Sequence, residues 1–195
     1  MGDCGCHTNV TTTEERKILW IALGLNATMF IVGLIAGLLA QSTGLLADSL
    51  DMLADASAYA IGLLAIGRSQ HFKSMAAMLS GSLLLLLSVG VLMQVGWHTL
   101  VGSSPDSHII ILIAGLSLLV NTGVLRLLGR LRKGEAHLRA AWIFTRADVI
   151  VNCGVILSGI LVAMTHSRYP DLMVGTLVGL YVLKEACHIL SDARK

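Results

Sequence analysis

The segment Asp48-Ser49-Leu50-Asp51-Met52-Leu53-Ala54-Asp55 sets three carboxylates into an apolar run long enough to cross a bilayer. On an α-helix, spacings of three and four residues put Asp48, Asp51 and Asp55 on one face, about a turn apart. Such a face cannot point at lipid, because a carboxylate near the bilayer centre costs at least about 2.5 kcal/mol even on the mildest insertion scale. It must face a cavity, a partner helix or a cation.

Composition supports the membrane setting. The chain has 195 residues, of which 55% are hydrophobic and 13% charged, with a mean hydropathy of +0.77; an average soluble domain carries about 25% charged residues. Spans of roughly 20 residues use up nearly all of that length, so no sizeable soluble core is left over. The net charge of +2 is too small to suggest a nucleic-acid partner. The first apolar run follows Glu14-Glu15-Arg16-Lys17, lacks a small-residue cleavage pattern and has full span length, so it reads as a retained helix and not a signal peptide. Cys153 and Cys187 lie inside apolar spans, and Cys4 and Cys6 are too close for an ordinary bridge, so the four cysteines do not form a disulfide framework.

Six apolar segments are expected, at residues 17–40, 44–67, 72–99, 108–130, 140–165 and 170–190. The fold class is an all-α membrane protein, six transmembrane helices in one bundle joined mostly by short loops. If the spans alternate, every Lys and Arg except Arg168 falls on one side, and the positive-inside rule places both termini in the cytoplasm. Residues 1–16 form a flexible cytoplasmic tail, 17–190 the transmembrane domain and 191–195 a short cytoplasmic end. In the tail, Cys4, Cys6 and His7 offer two thiolates and an imidazole, ligands suited to zinc, copper(I) or cobalt; the bland alternative is a frayed terminus whose cysteines have no role.

Asn26 in the first span precedes Asp51 at about the spacing at which Asn121 in the fourth precedes Asp148, a faint echo that relates two three-helix halves by inverted topology. The simpler reading is that each Asn makes an interhelical hydrogen bond. Gly33/Gly37 and Gly175/Gly179 read as close-packing positions.

The fifth span holds a second polar pair, Asp148 and Asn152, four apart and so on one face. Counted from the expected cytoplasmic edges, Asp148 lies about 8 residues in, Asn152 and Asp55 about 12 and Asp51 about 16, so two antiparallel faces meet near the midplane. Carboxylates crowded in a water-poor bundle repel one another unless a cation or protons neutralise them. Two i,i+4 pairs on facing helices are an arrangement helix bundles use for metal. A divalent cation bound by Asp51, Asp55, Asp148 and the carbonyl of Asn152 meets that need, and when it leaves protons replace it. Metal one way and protons the other is antiport. The competing reading is helix glue, protonated Asp–Asn hydrogen bonds with no traffic; four polar residues at one depth argue against it. Asp48, a turn further out, lines an exit path or holds a hydrogen bond at the start of its helix. Arg146 snorkels or pairs with Asp148, and His71, His98, His108, His137 and His166 sit at span ends in solvent, with His188 at the interface. Cys153 is a packing residue beside Asn152.

The pattern Gly44-Leu45-Leu46-Ala47-Asp48-Ser49-Leu50-Asp51-Met52-Leu53-Ala54-Asp55, the fifth-span pair, and Tyr169-Pro170-Asp171 opening the sixth span resemble the cation diffusion facilitators, six-span exporters of divalent metals in exchange for protons. The resemblance implies metal ligands at Asp51, Asp55, Asp148 and Asn152, with Asp48 an accessory position and no prosthetic group. Asn152 departs from the family's usual second carboxylate and makes the site less negative. The chain stops at Lys195 and resembles the short branch without the family's cytoplasmic domain; a homodimer then forms through the spans, with Cys4, Cys6 and His7 capturing metal. The expected function is efflux of zinc- or cobalt-type ions across a bacterial inner membrane, and not enzymatic. Two alternatives remain. An uncoupled structural or channel bundle is one. The other is a CDP-alcohol-type phosphotransferase, whose motif starts with two Asp three apart but needs Gly where Met52 stands and Ala-Arg where Ala54-Asp55 stands.

Overall fold

The computed structural model of the protein describes residues 11–64, 70–131 and 136–193. Every regular element among them is an α-helix: α1 (Thr11–Leu39), α2 (Thr43–Leu64), α3 (Gln70–Leu100), α4 (Ser107–Leu131), α5 (Ala136–Thr165) and α6 (Tyr169–Ala193). The six match the six apolar segments in order, although α1 starts at Thr11, within the stretch expected to be flexible. Glu14 in its first turn complements the positive end of the helix dipole. Cys4, Cys6 and His7 lie outside the described residues.

Five of the helices are long and apolar enough to cross a bilayer, and α2, interrupted by its carboxylates, is the exception. Packing explains how α2 tolerates them. It is the hub of the bundle, in contact with each of the other five helices, while α1 lies along α2, α4 along α5 and α3 along α6. Large apolar side chains such as Leu39, Leu79, Leu86, Leu112, Leu119 and Met164 are exposed on the outer helices; among the described residues of α2 none is. Lipid-facing area belongs to the periphery, and the polar face of α2 is turned inward.

Close approach brings α2 to its neighbours. A Cβ at Gly37 would lie 2.9 Å from a Leu46 methyl and 3.0 Å from its backbone nitrogen, and one at Gly175 would lie 2.7 Å from the Thr43 carbonyl carbon. Gly37 therefore lets α1 press on α2, and Gly175 lets α6 press on the first turn of α2, the small-residue packing expected of membrane helices.

One end of the bundle is tied by its loops. Gln41 (φ 50°) is left-handed, and the Ser42 N–H reaches back to the Gly37 carbonyl at 3.0 Å while Gln41 N–H reaches Leu38 O at 3.3 Å, a Schellman stop for α1. Ser42 then starts α2, its Oγ accepting from Leu45 N–H at 3.1 Å as an N-cap. Asp106 caps α4 by accepting from the His108 and Ile109 N–H groups at 2.9 and 3.2 Å, and its own N–H donates to Ala40 O at 3.0 Å. Asp171 of α6 completes the knot. Its carboxylate, 1% exposed, accepts from Ser42 Oγ (2.5 Å), Thr43 N–H (2.7 Å), Thr43 Oγ1 (3.0 Å) and Gly44 N–H (3.2 Å). A side chain of α6 thus satisfies the orphan donors and positive dipole end of α2. At the opposite end, Arg16, Lys17, Arg126, Arg146 and Lys184 are exposed, whereas Arg168 belongs to the Gln41 end.

Candidate metal centre

Helices α2 and α5 run antiparallel, and their polar faces meet in two layers about one turn apart. The layer farther from the Gln41 end is acidic. Asp148 comes within hydrogen-bonding reach of both Asp51 and Asp55. Asp51 and Asp148 are 8% and 4% exposed, and Asp55 is partly buried. A carboxylate carries acceptors only, so carboxyl-to-carboxyl contacts require a proton on one side of each, or a cation between the oxygens. Asp148 Oδ2 is buried and makes no hydrogen bond. Tyr59, one turn beyond Asp55 on the same face, donates a long contact to Asp55 Oδ2 (3.5 Å) and shares a 3.0 Å hydrogen bond with Thr145 Oγ1 on α5. Among the described residues, no group of three or more His, Cys, Asp or Glu side chains is placed to hold a metal ion as the helices stand.

The layer nearer the Gln41 end is built on an amide. Asn152 donates through Nδ2 to Asp48 Oδ1 at 2.6 Å, and its Oδ1 accepts from Asn121 Nδ2 of α4 at 3.0 Å. Ser117 of α4 also hydrogen-bonds Asp48. All four side chains are essentially buried.

The level of Asn152 therefore differs from the sequence expectation. Counting from span edges put it beside Asp55; the packed helices put it beside Asp48, seven residues along α2, because their register is set by side-chain packing and not by where the apolar runs begin. Three of the four expected ligands converge, and the fourth lies a turn away with the accessory residue Asp48. Asn121 makes the interhelical bond expected of it. Asn26 does not, donating instead to Ala22 O of its own helix at 3.0 Å.

Other positions fall into place by exposure. Cys153 and Cys187 are exposed free thiols on the outer surface, and Arg146 is exposed. His188 is exposed and faces Asp192 one turn on at 3.7 Å, and His71, His108 and His166 are exposed as expected. His98 corrects the reading of span-end histidines as solvated: it is 6% exposed, with Nε2 3.0 Å from Gln94 Nε2. The site residues missed from sequence were Tyr59, Thr145 and Ser117. Tyr59 had a signal, standing four residues after Asp55; Thr145 and Ser117 are small hydroxyls of a kind that abounds in spans.

In this multi-pass helical membrane protein, carboxyls gather on and against the central helix α2. The comparison with known proteins agrees: residues 19–195 match the cation efflux transmembrane domain, and the chain belongs to that family, the cation diffusion facilitators. It is 25% identical over 199 residues to the cation efflux system protein CzcD of Alcaligenes sp. (strain CT14) and equally to the metal cation efflux system protein CzcD of Cupriavidus metallidurans, alignments covering 96% of this chain and 63% of each relative. It is 23% identical over 203 residues to the cadmium, cobalt and zinc/H(+)-K(+) antiporter of Bacillus velezensis, covering 97% of this chain and 65% of that protein. The chain thus spans less than two thirds of the length of these relatives. Members of the family are transporters and not enzymes, which removes the phosphotransferase alternative.

Proposed function

We propose that the protein exports divalent metal ions in exchange for protons, at a site between α2 and α5 made by Asp51, Asp55 and Asp148, with Asn152 as fourth ligand once its side chain turns toward them. The observation that carries this reading is that Asp148 of α5 lies within hydrogen-bonding reach of both Asp51 and Asp55 of α2 inside an apolar bundle. Contacts of that kind hold protons, and a divalent cation entering between the oxygens displaces them. Loading with metal and loading with protons are then alternative states of one site, the logic of antiport. Oxygen donors suit hard and borderline ions. The names of the relatives, which include cadmium, cobalt and zinc, support zinc- or cobalt-type cargo.

In this reading all six helices span the membrane, α2 included: its 22 residues reach about 33 Å at 1.5 Å per residue, enough for a hydrocarbon core of about 30 Å. Residues 17–190 form the transmembrane domain, and the basic end carrying Arg16, Lys17, Arg126, Arg146 and Lys184 faces the cytoplasm with both termini. The bacterial relatives support a bacterial cytoplasmic membrane. A homodimer through the spans belongs to the same reading; a monomeric mass for the purified protein would sink that part. Cys4, Cys6 and His7 deliver metal to the site, so deleting residues 1–10 should raise the apparent KM for metal, and an unchanged KM removes their role.

The test of the central reading is proton release. Adding zinc or cobalt to purified protein in weakly buffered detergent solution should release protons, and release should disappear in an Asp51→Ala/Asp148→Ala double variant. Wild-type protein that binds metal without releasing protons would overturn antiport in favour of an uncoupled bundle.

A further inference from the structure

Asn152 can serve a metal only through its carbonyl oxygen, since an amide nitrogen with its protons has no lone pair to give. In the structure one of that oxygen's two acceptor sites is taken, and the direction of the carbonyl is fixed. Asp48 can only accept as a carboxylate, so the 2.6 Å contact fixes the nitrogen of Asn152 toward Asp48 and its oxygen the other way. There Asn121 of α4 donates to it at 3.0 Å. The amide is gripped at both ends, from α2 and from α4, with Asp48, Asn152 and Asn121 at 3%, 1% and 2% exposure. To lend Oδ1 to a cation beside Asp148, one turn away on α5, the side chain must release both partners.

Resting on the site reading above, we propose that Asn121 is a positioning residue that sets metal affinity by holding the carbonyl of Asn152 away from the carboxyl triad in the metal-free protein. Asn121 is suited to this. Its own Oδ1 is buried without a hydrogen-bond partner, so its carboxamide is committed through the nitrogen alone. The hydrogen bond exists in one state of the site and must break in the other, so it weakens metal binding by its own strength. Helix α4, which contributes no carboxylate, thereby helps decide when the cation is held and when it is released.

Removing the donor should tighten metal binding, an unusual direction for a substitution at a buried polar residue. Isothermal titration of purified full-length Asn121→Leu and Asn121→Ala with zinc and with cobalt should give dissociation constants about three- to tenfold below wild type, the range expected for one buried hydrogen bond. Vesicle transport should show lowered KM together with lowered kcat, because the ion leaves more slowly. In an Asn152→Ala background the same changes should leave affinity within about twofold. Unchanged or weaker binding in folded Asn121 variants overturns the proposal, and so does equal tightening when Asn152 is already gone. A measurement on wild type covers the case in which both variants misfold: with isotope-labelled asparagine, zinc should move side-chain carbonyl bands in the infrared difference spectrum, and bands that stay fixed overturn it. Wild-type protein that binds neither metal overturns the site reading itself, whereas normal wild-type binding with unaltered variants removes only the role of Asn121.

Discussion

The two polar layers between α2 and α5 are a turn apart on the same helices, yet they solve opposite problems. The acidic layer of Asp51, Asp55 and Asp148 brings like groups together, with Asp148 Oδ2 buried and unbonded. The amide layer of Asp48, Asn152, Asn121 and Ser117 matches donors to acceptors at every contact but Asn121 Oδ1 and draws in a third helix, α4. A satisfied network rigidifies and an unsatisfied one responds to whatever neutralises it. In the proposed reading one layer changes occupant and the other stays put until forced.

Three sets of substitutions test that division. The largest effect belongs to the acidic layer: Asp148→Ala, Asp51→Ala or Asp55→Ala should each lower zinc uptake into everted vesicles at least about 100-fold, in line with losing a first ligand of a transported ion. If Asp148→Ala transports normally, the acidic layer is not the site. Next comes the knot at the Gln41 end. Asp171→Ala strands three donors, Ser42 Oγ and the N–H groups of Thr43 and Gly44, while Thr43 Oγ1 keeps the residue-171 carbonyl, and should cost about 3 kcal/mol of stability, read as a lower thermal midpoint in detergent without a change in metal preference. A wild-type midpoint would show that α2 is held by packing alone. The smallest effect distinguishes the layers most sharply: Asp48→Ala should tighten metal binding by about tenfold or less, since Asp48 holds Asn152 and does not touch the cation. A loss as complete as that of Asp51→Ala would merge the two layers into one site.

How much of this could be read from the chain alone varied with the physics behind it. The six helices followed from hydropathy, because in a bilayer every backbone group must be paired internally and a long apolar run has few alternatives. The inward face of α2 followed from the cost of carboxylates in lipid, and the close packing at Gly33, Gly37, Gly175 and Gly179 from residue size. Register was not legible. Spacing within one helix puts Asp148 and Asn152 on one face, but which residues of α2 they meet depends on how α2 and α5 slide past each other, and that is decided by side chains on all six helices. Hence Asn152 was assigned to the level of Asp55 and found with Asp48. Asn121 was legible only as a hydrogen-bonding residue, its partner lying 31 positions away.

The carboxylate of Asp171 has a mechanical meaning as well as a chemical one. It bolts the first turn of α2 to α6, so any rocking of α2 turns about a fulcrum near Thr43. Along that lever, Asp48 stands about 7.5 Å from the bolt and Asp55 about 18 Å, at 1.5 Å per residue. A tilt of about 10° then carries Asp48 only about 1.3 Å but Asp55 about 3 Å, more than a typical metal–oxygen bond length. In the proposed reading, the same small swing that shifts the Asp48–Asn152 grip by about an ångström moves the Asp55 end far enough to make or break a metal–oxygen contact.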